Sequence, residues 1–189
     1  MTSYANTTAY GLIRPKALWL EVPILLAFNL LLVASAYIAI NLPFSPVPIT
    51  GQTFGVLLVA MALGRVRGTA VVTAYLVEGL AGLPVFANGA AGPAVFMGPT
   101  AGYLLGFVVA AALVGWLADR GWDKSFGRSI AAMTLGTAVI FIAGLSWLTQ
   151  FVPGELLLTA GLTPFLPGAA LKIALASLIL PSLWRFLRK

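Results

Sequence analysis

One basic residue stands apart from the rest. Lys172 lies a turn or so inside the last long apolar stretch, just past Pro164-Phe165-Leu166-Pro167-Gly168. A charged amine in a membrane-spanning segment costs about 2.5–3.5 kcal/mol on insertion scales, so it takes a partner or faces a cavity. The polar groups that the chain order can bring towards it are Thr50, Gln52, Thr53, Glu78, Asn88, Thr100 and Tyr103. Tyr37, Phe44, Phe86, Phe96 and Phe165 lie close by in sequence. A few fixed polar groups in an apolar enclosure suit capture of a small amphipathic ligand. The amides of Gln52 and Asn88 donate and accept together, matching a cyclic urea or similar group. Lys172 could pair with a carboxylate, and its place near the amino end of a helix favours an anion as well. Plainer readings stand beside these. Lys172 could snorkel to the headgroups, Asn88 could hold a left-handed turn, Gln52 could cap a helix, and Thr100 and Tyr103 could simply pack.

The residue types point to binding rather than catalysis. There is no Cys and no His, and the two Asp residues, Asp119 and Asp123, share one loop. A Ser-His or Cys-His nucleophile, a His-ligated metal and an intramembrane Asp pair are therefore excluded. A Ser-Lys pair is not, but no serine is tied to Lys172 by any pattern. No G-x-x-x-x-G-K-[S/T] loop is present, so energy for active transport has to come from outside the chain. No cofactor is called for. The formal charge of +6 is scattered in ones and twos; that distribution lacks the stripe a nucleic acid would need.

The elements that must position these groups are membrane helices. Of 189 residues, 60% are apolar and 8% charged, with a mean hydropathy of +1.01. A soluble domain carries about 25% charged residues. About twenty apolar residues cross the hydrocarbon core, so the length allows five or six helices and short loops. A polar tail, residues 1–16, precedes a single membrane domain over 17–189. Its first apolar stretch is too long for a signal-peptide core and lacks a cleavage site, so it is expected to be retained.

Helix one is expected from Ala17 to Leu42, stopped by Pro43, Pro46 and Pro48. Helices two (Thr50–Leu63) and three (Thr69–Leu83) are short, some 20–23 Å of rise, and flank the turn Gly64-Arg65-Val66-Arg67-Gly68. The uncharged 84–98 segment reads as a packed lid or re-entrant loop. Helix four follows from Pro99 to Ala118 and helix five from Ser129 to Phe151. A short interfacial helix before Gly161 and helix six, Gly168 to Trp184, complete the chain.

Of the 11 Lys and Arg residues, all but Lys172 fall at the amino terminus, in the 64–68 turn, in the 119–128 loop or at the carboxyl terminus. The connections 41–51, 84–98 and 152–167 carry none. Six helices with both termini cytoplasmic satisfy the positive-inside rule. Gly98, Gly102, Gly106 and Ala110 recur every four residues, a flat side for close helix contact. Ser35 and Ala39 form a similar pair on helix one, suited either to internal packing or to docking another membrane subunit.

Four segments, in order, resemble one family. They are Pro46-Val47-Pro48-Ile49-Thr50-Gly51-Gln52-Thr53, Gly82-Leu83-Pro84-Val85-Phe86-Ala87, Gly98-Pro99-Thr100-Ala101-Gly102-Tyr103-Leu104-Leu105-Gly106-Phe107, and Pro164-Phe165-Leu166-Pro167-Gly168 with Leu171-Lys172-Ile173. Together they resemble BioY, the biotin-specific substrate-binding (S) component of energy-coupling factor (ECF) transporters, across nearly everything beyond residue 17. The resemblance implies an all-α, six-transmembrane-helix S-component bundle in a bacterial inner membrane, with biotin as transported ligand. It also implies a transmembrane coupling protein and two ATP-hydrolysing subunits that drive reorientation, though some members act without them. Asn88 and Lys172 match the family's ligand-contacting Asn and Lys, and Ser35 and Ala39 resemble its docking residues. One position departs: where the family carries Asp three residues before the Lys, this chain has Ala169. Either affinity is lower or another group substitutes, Glu78 being the nearby acid. An S component for another vitamin, a lipid-acting membrane enzyme and a structural subunit are the rival readings.

Overall fold

The computed structural model describes residues 21–187, with side chains to Ser182, and Thr8, Gly11 and Trp19 ahead of them. Most of the 1–16 tail, the expected helix start at Ala17, and Arg188 and Lys189 lie outside the described residues. The long elements are α1 (Glu21–Tyr37), α2 (Gln52–Leu80), α4 (Ala101–Ala118), α5 (Phe126–Leu148) and α7 (Leu166–Leu187). The short helices α3 (Pro93–Met97) and α6 (Leu157–Gly161) sit in the connections.

The first helix ends sooner than expected, at Tyr37 rather than Leu42. Residues Ala39–Ile40 (β1) pair antiparallel with Ile49–Thr50 (β2), in the register Ala39 to Thr50. Gly51 N–H also donates to Ile38 C=O at 2.8 Å. Pro43 excludes a helical conformation just before it, and the ribbon gives the freed backbone groups partners that lipid cannot supply.

Helices two and three are continuous except at one residue. Gly64 has φ 79° and ψ −177°, non-helical values inside α2. There the chain reverses. A Cβ on Gly68 would come 2.7 Å from the Cα of Ala60, whereas eight residues along one straight helix would separate them by about 12 Å. The Gln52 amide likewise reaches the Tyr75 hydroxyl at 2.6 Å, 23 residues on. The expected five-residue turn therefore shrinks to Gly64, and arms 52–63 and 65–80 form a tight antiparallel hairpin. The carboxylate of Asp119 accepts from the Arg65 backbone N–H at 3.1 Å and closes this end.

With α1, the two arms, α4, α5 and α7, the chain makes six passes of an all-α membrane fold. The glycine row is used as expected from Gly102 onward. A Cβ at Gly102 would lie 2.6 Å from the Ala143 carbonyl oxygen, and one at Gly106 would lie 3.0 Å from the Ala143 side chain, so α4 and α5 meet backbone to backbone. Gly98 precedes the helix, and its carbonyl accepts from the Trp147 indole N–H at 3.0 Å. Leu32, Met61, Tyr75, Phe107, Val114, Met133 and Ile140 fill the centre. Leu26, Leu30, Val109, Leu135, Ile142, Leu171 and Leu178 point outwards, as a lipid-facing surface requires.

Ser35 and Ala39, expected on one helical face, do not share one. Ser35 is buried, donates to Leu32 C=O at 2.6 Å and packs on Gly55 of the first α2 arm. Ala39 lies in β1, not in a helix. Ser35 serves internal packing, and the chain leaves helical geometry between it and the half-buried Ala39.

The close approach at Gly68 yields a test. Gly68→Val should overpack the hairpin by about 1–3 kcal/mol and lower the thermal midpoint of detergent-solubilised protein. Gly127→Val, where a Cβ meets open space, should leave that midpoint in place.

Candidate functional site

At the end of the bundle away from the Gly64 turn lies a cavity of about 300 Å³. It is lined by the loop before α2, the first α2 arm, the 86–90 and 95–100 segments, α4, α5 and α7. Its walls are mostly apolar, among them Phe54, Leu57, Phe107, Met133, Phe141 and Phe165. Among the lining residues Lys172 carries the one formal charge.

Lys172 is half-buried on the second turn of α7; Pro167 is tolerated in the first turn because an N–H there needs no partner. Its ammonium donates to Thr50 C=O at 2.5 Å and to the Thr53 hydroxyl at 3.0 Å. Those contacts cross from α7 to the start of α2, so the amine is turned into the bundle and does not snorkel outwards. An ammonium has three N–H donors; the third is left for the cavity. Ala169, one turn earlier, lines the same space with a methyl group.

Gln52, Thr50 and Tyr75 form a buried polar strip behind this wall. The Thr50 hydroxyl donates to Gln52 Oε1 at 3.1 Å, and Gln52 Nε2 donates to the Tyr75 hydroxyl. Tyr75 in turn donates to Val85 C=O at 3.0 Å. Gln52 opens α2 after the cap residue Gly51, and its backbone N–H donates to the Thr50 hydroxyl at 3.3 Å.

The 84–98 segment folds down as expected. The Phe86 ring is buried, edge-on to Tyr75 at 5.3 Å and to Phe96 at 5.7 Å. It is seated over Gly79, where any Cβ would enter the ring. Tyr37 donates to Pro84 C=O at 2.5 Å and fixes the root of the segment.

Asn88 lines the cavity while remaining exposed, which places it at the rim. It has φ 58°, and its amide donates to Asn41 Oδ1 at 3.0 Å. Asn readily adopts this left-handed conformation, so Asn88 both holds a turn and borders the cavity.

Thr100 and Tyr103 also line the cavity. The Tyr103 hydroxyl donates to Gly161 C=O at 2.8 Å, so its ring forms wall and its polar end serves α6. Glu78 is not brought there. Its carboxylate accepts from Asn29 Nδ2 at 3.1 Å, joining α1 to the second α2 arm, and it is absent from the lining. The expectation that Glu78 stands in for the missing Asp is thus corrected, because its place on that arm turns it towards α1. Tyr75 and Asn41, together with Thr137 on α5, escaped the sequence reading. A polar ring in the middle of an apolar arm was the available signal for Tyr75.

The model of the BioY family matches residues 15–189. The chain is 39% identical over 153 residues to the "Biotin transporter BioY" of Thermotoga maritima, covering 80% of this chain and 88% of that one. It is 34% identical over 148 residues to the "Biotin transporter BioY" of Rhizobium etli, covering 74% and 79%. A crystal structure of the S-component for biotin from an ECF-type ABC transporter superposes with a TM-score of 0.77 at 27% identity, covering 90% of this chain and 95% of that one.

A half-buried ammonium with only neutral acceptors and no acid in the cavity lining opposes folding, since desolvation disfavours the charged form. Lys172→Met keeps the stem and removes that charge. The ligand-free variant should therefore match or exceed the native thermal midpoint in detergent. A clear fall would show that the bonds to Thr50 and Thr53 outweigh the burial cost.

Proposed function

The chain belongs to the BioY family, and from that premise we propose that it is a biotin-binding S component. It captures biotin at the outer face of a bacterial cell membrane and carries it inwards. Residues 17–189 act in this as one membrane domain. The observation that carries the proposal is the pairing of one unneutralised ammonium with a mostly apolar cavity that holds a few neutral polar groups. Biotin is amphipathic in the matching sense. Its bicycle and aliphatic chain suit the aromatic walls, its urea donates and accepts, and its carboxylate makes it a monoanion at neutral pH. The anion brings the charge that Lys172 lacks, and the urea needs groups such as Gln52 and Asn88 that can both give and take a hydrogen bond.

The orientation follows from charge. Arg65, Arg67, Arg120, Lys124 and Arg128 lie towards the Gly64 end, and the positive-inside rule turns that end to the cytoplasm. The cavity then opens outwards. Because the chain has no phosphate-binding loop motif, reorientation of the loaded protein draws on ECF partners: a transmembrane coupling protein and two ATP-hydrolysing subunits. The likeness to an S-component of an ECF-type transporter supports that assembly.

Calorimetric titration of the purified protein tests the proposal. Lys172→Ala should weaken biotin at least ten-fold, roughly 1.4 kcal/mol. The neutral methyl ester of biotin should bind the native protein more weakly than biotin by a similar factor. An unchanged affinity in Lys172→Ala removes the amine from the site. Tighter binding of a different vitamin would overturn the assignment of biotin.

A further inference from the structure

We propose that Tyr75, which does not line the cavity, is a positioning residue that fixes which way the Gln52 amide presents its donor and acceptor to the ligand. The inference rests on the biotin reading only for its affinity readout. The geometry is one of enforced proton direction. Val85 C=O can only accept, so the Tyr75 hydroxyl spends its proton there, 3.0 Å away. The oxygen is then left to accept, and the Gln52 atom facing it at 2.6 Å has to be the amide nitrogen. Gln52 Oε1 consequently faces the Thr50 hydroxyl, which donates to it. A hydroxyl can rotate to donate or accept, so Thr50 alone would tolerate either amide orientation. Tyr75 removes that freedom.

The consequence reaches the cavity from both sides. Gln52 lines it, and with its orientation set it offers one remaining N–H and one remaining lone pair at fixed places. The carbonyl of Thr50, next in the strip, holds the Lys172 ammonium. At the other end, Val85 immediately precedes Phe86, the ring that roofs the cavity. One buried hydroxyl thus sets the pattern of hydrogen bonds in the wall and anchors the root of the lid. Tyr75 is fully buried, and its ring packs edge-on to Phe86, so Tyr75→Phe retains the packing and deletes the relay.

A double-mutant cycle read by biotin affinity separates positioning from general stabilisation. In the native background Tyr75→Phe should weaken biotin about ten-fold. In a Gln52→Ala background the same change should alter affinity less than two-fold. Equal losses in both backgrounds would overturn the proposal, since Tyr75 would then act without Gln52.

A second measurement needs neither ligand nor variant. Gln52 and Gln150 are the chain's glutamines, so selective nitrogen-15 labelling gives two side-chain amides by NMR. The buried Gln52 amide should exchange its protons far more slowly than the exposed Gln150 amide. Similar fast exchange at both would overturn the relay even if Tyr75→Phe failed to fold. A native protein with a protected Gln52 amide but no affinity for biotin would instead refute the proposed function and leave the relay standing.

Discussion

An ammonium group inside a hydrocarbon-embedded bundle has to be given acceptors, and the outer half of this protein is arranged around that supply. Thr50 C=O and the Thr53 hydroxyl meet Lys172 because α2 begins beside α7 and because β2 delivers Thr50 with its carbonyl free to accept. Two neutral acceptors satisfy two of three donors and leave the charge uncompensated. Such a site is incomplete by construction. Its incompleteness is what distinguishes it from the Arg67–Glu21 pair at the other end, where the two charges meet directly.

Several other polar side chains are spent on architecture. Asn29 and Glu78 join α1 to the hairpin, Tyr37 ties the lid root to α1, and Tyr103 reaches α6. Each is a side-chain bond across elements, and for the buried Asn29 and Tyr103 the surroundings offer no water as an alternative partner. Around the cavity Tyr103 has its polar end engaged elsewhere, Lys172, Gln52 and Asn88 keep donors or acceptors in reserve, and Thr100 and Thr137 line it as well.

How much of this was legible follows from what each signal encodes. The alternation of charged and uncharged connections reports side of membrane, and it separated the Arg-bearing turn at Gly64 from the cavity end correctly. Lys172 stood out because a charge in an apolar run is rare, and the lid was visible as a loop without charge. The Gly64 reversal was blurred over five residues because Gly64 and Gly68 look alike in sequence. One supplies the left-handed φ, and the other gives room for Ala60. Glu78 was read by proximity along the chain, which does not fix the face of a helix that a residue occupies. The four-residue spacing of Ser35 and Ala39 predicts one helical face, but Pro43, six residues after Tyr37, commits the chain to a ribbon instead.

The 52–63 arm carries a final implication. Twelve helical residues rise about 18 Å, well short of the roughly 30 Å of hydrocarbon that a full span crosses. The β1–β2 ribbon and the Pro46–Pro48 loop precede the arm, and that loop walls the cavity together with Gln52, Thr53, Phe54 and Leu57 of the arm itself. Irregular backbone at such a depth is tolerated because it borders a hollow. A helix continued upward through the missing two turns or so, about 12 Å, would replace the very stretch of chain that forms this rim.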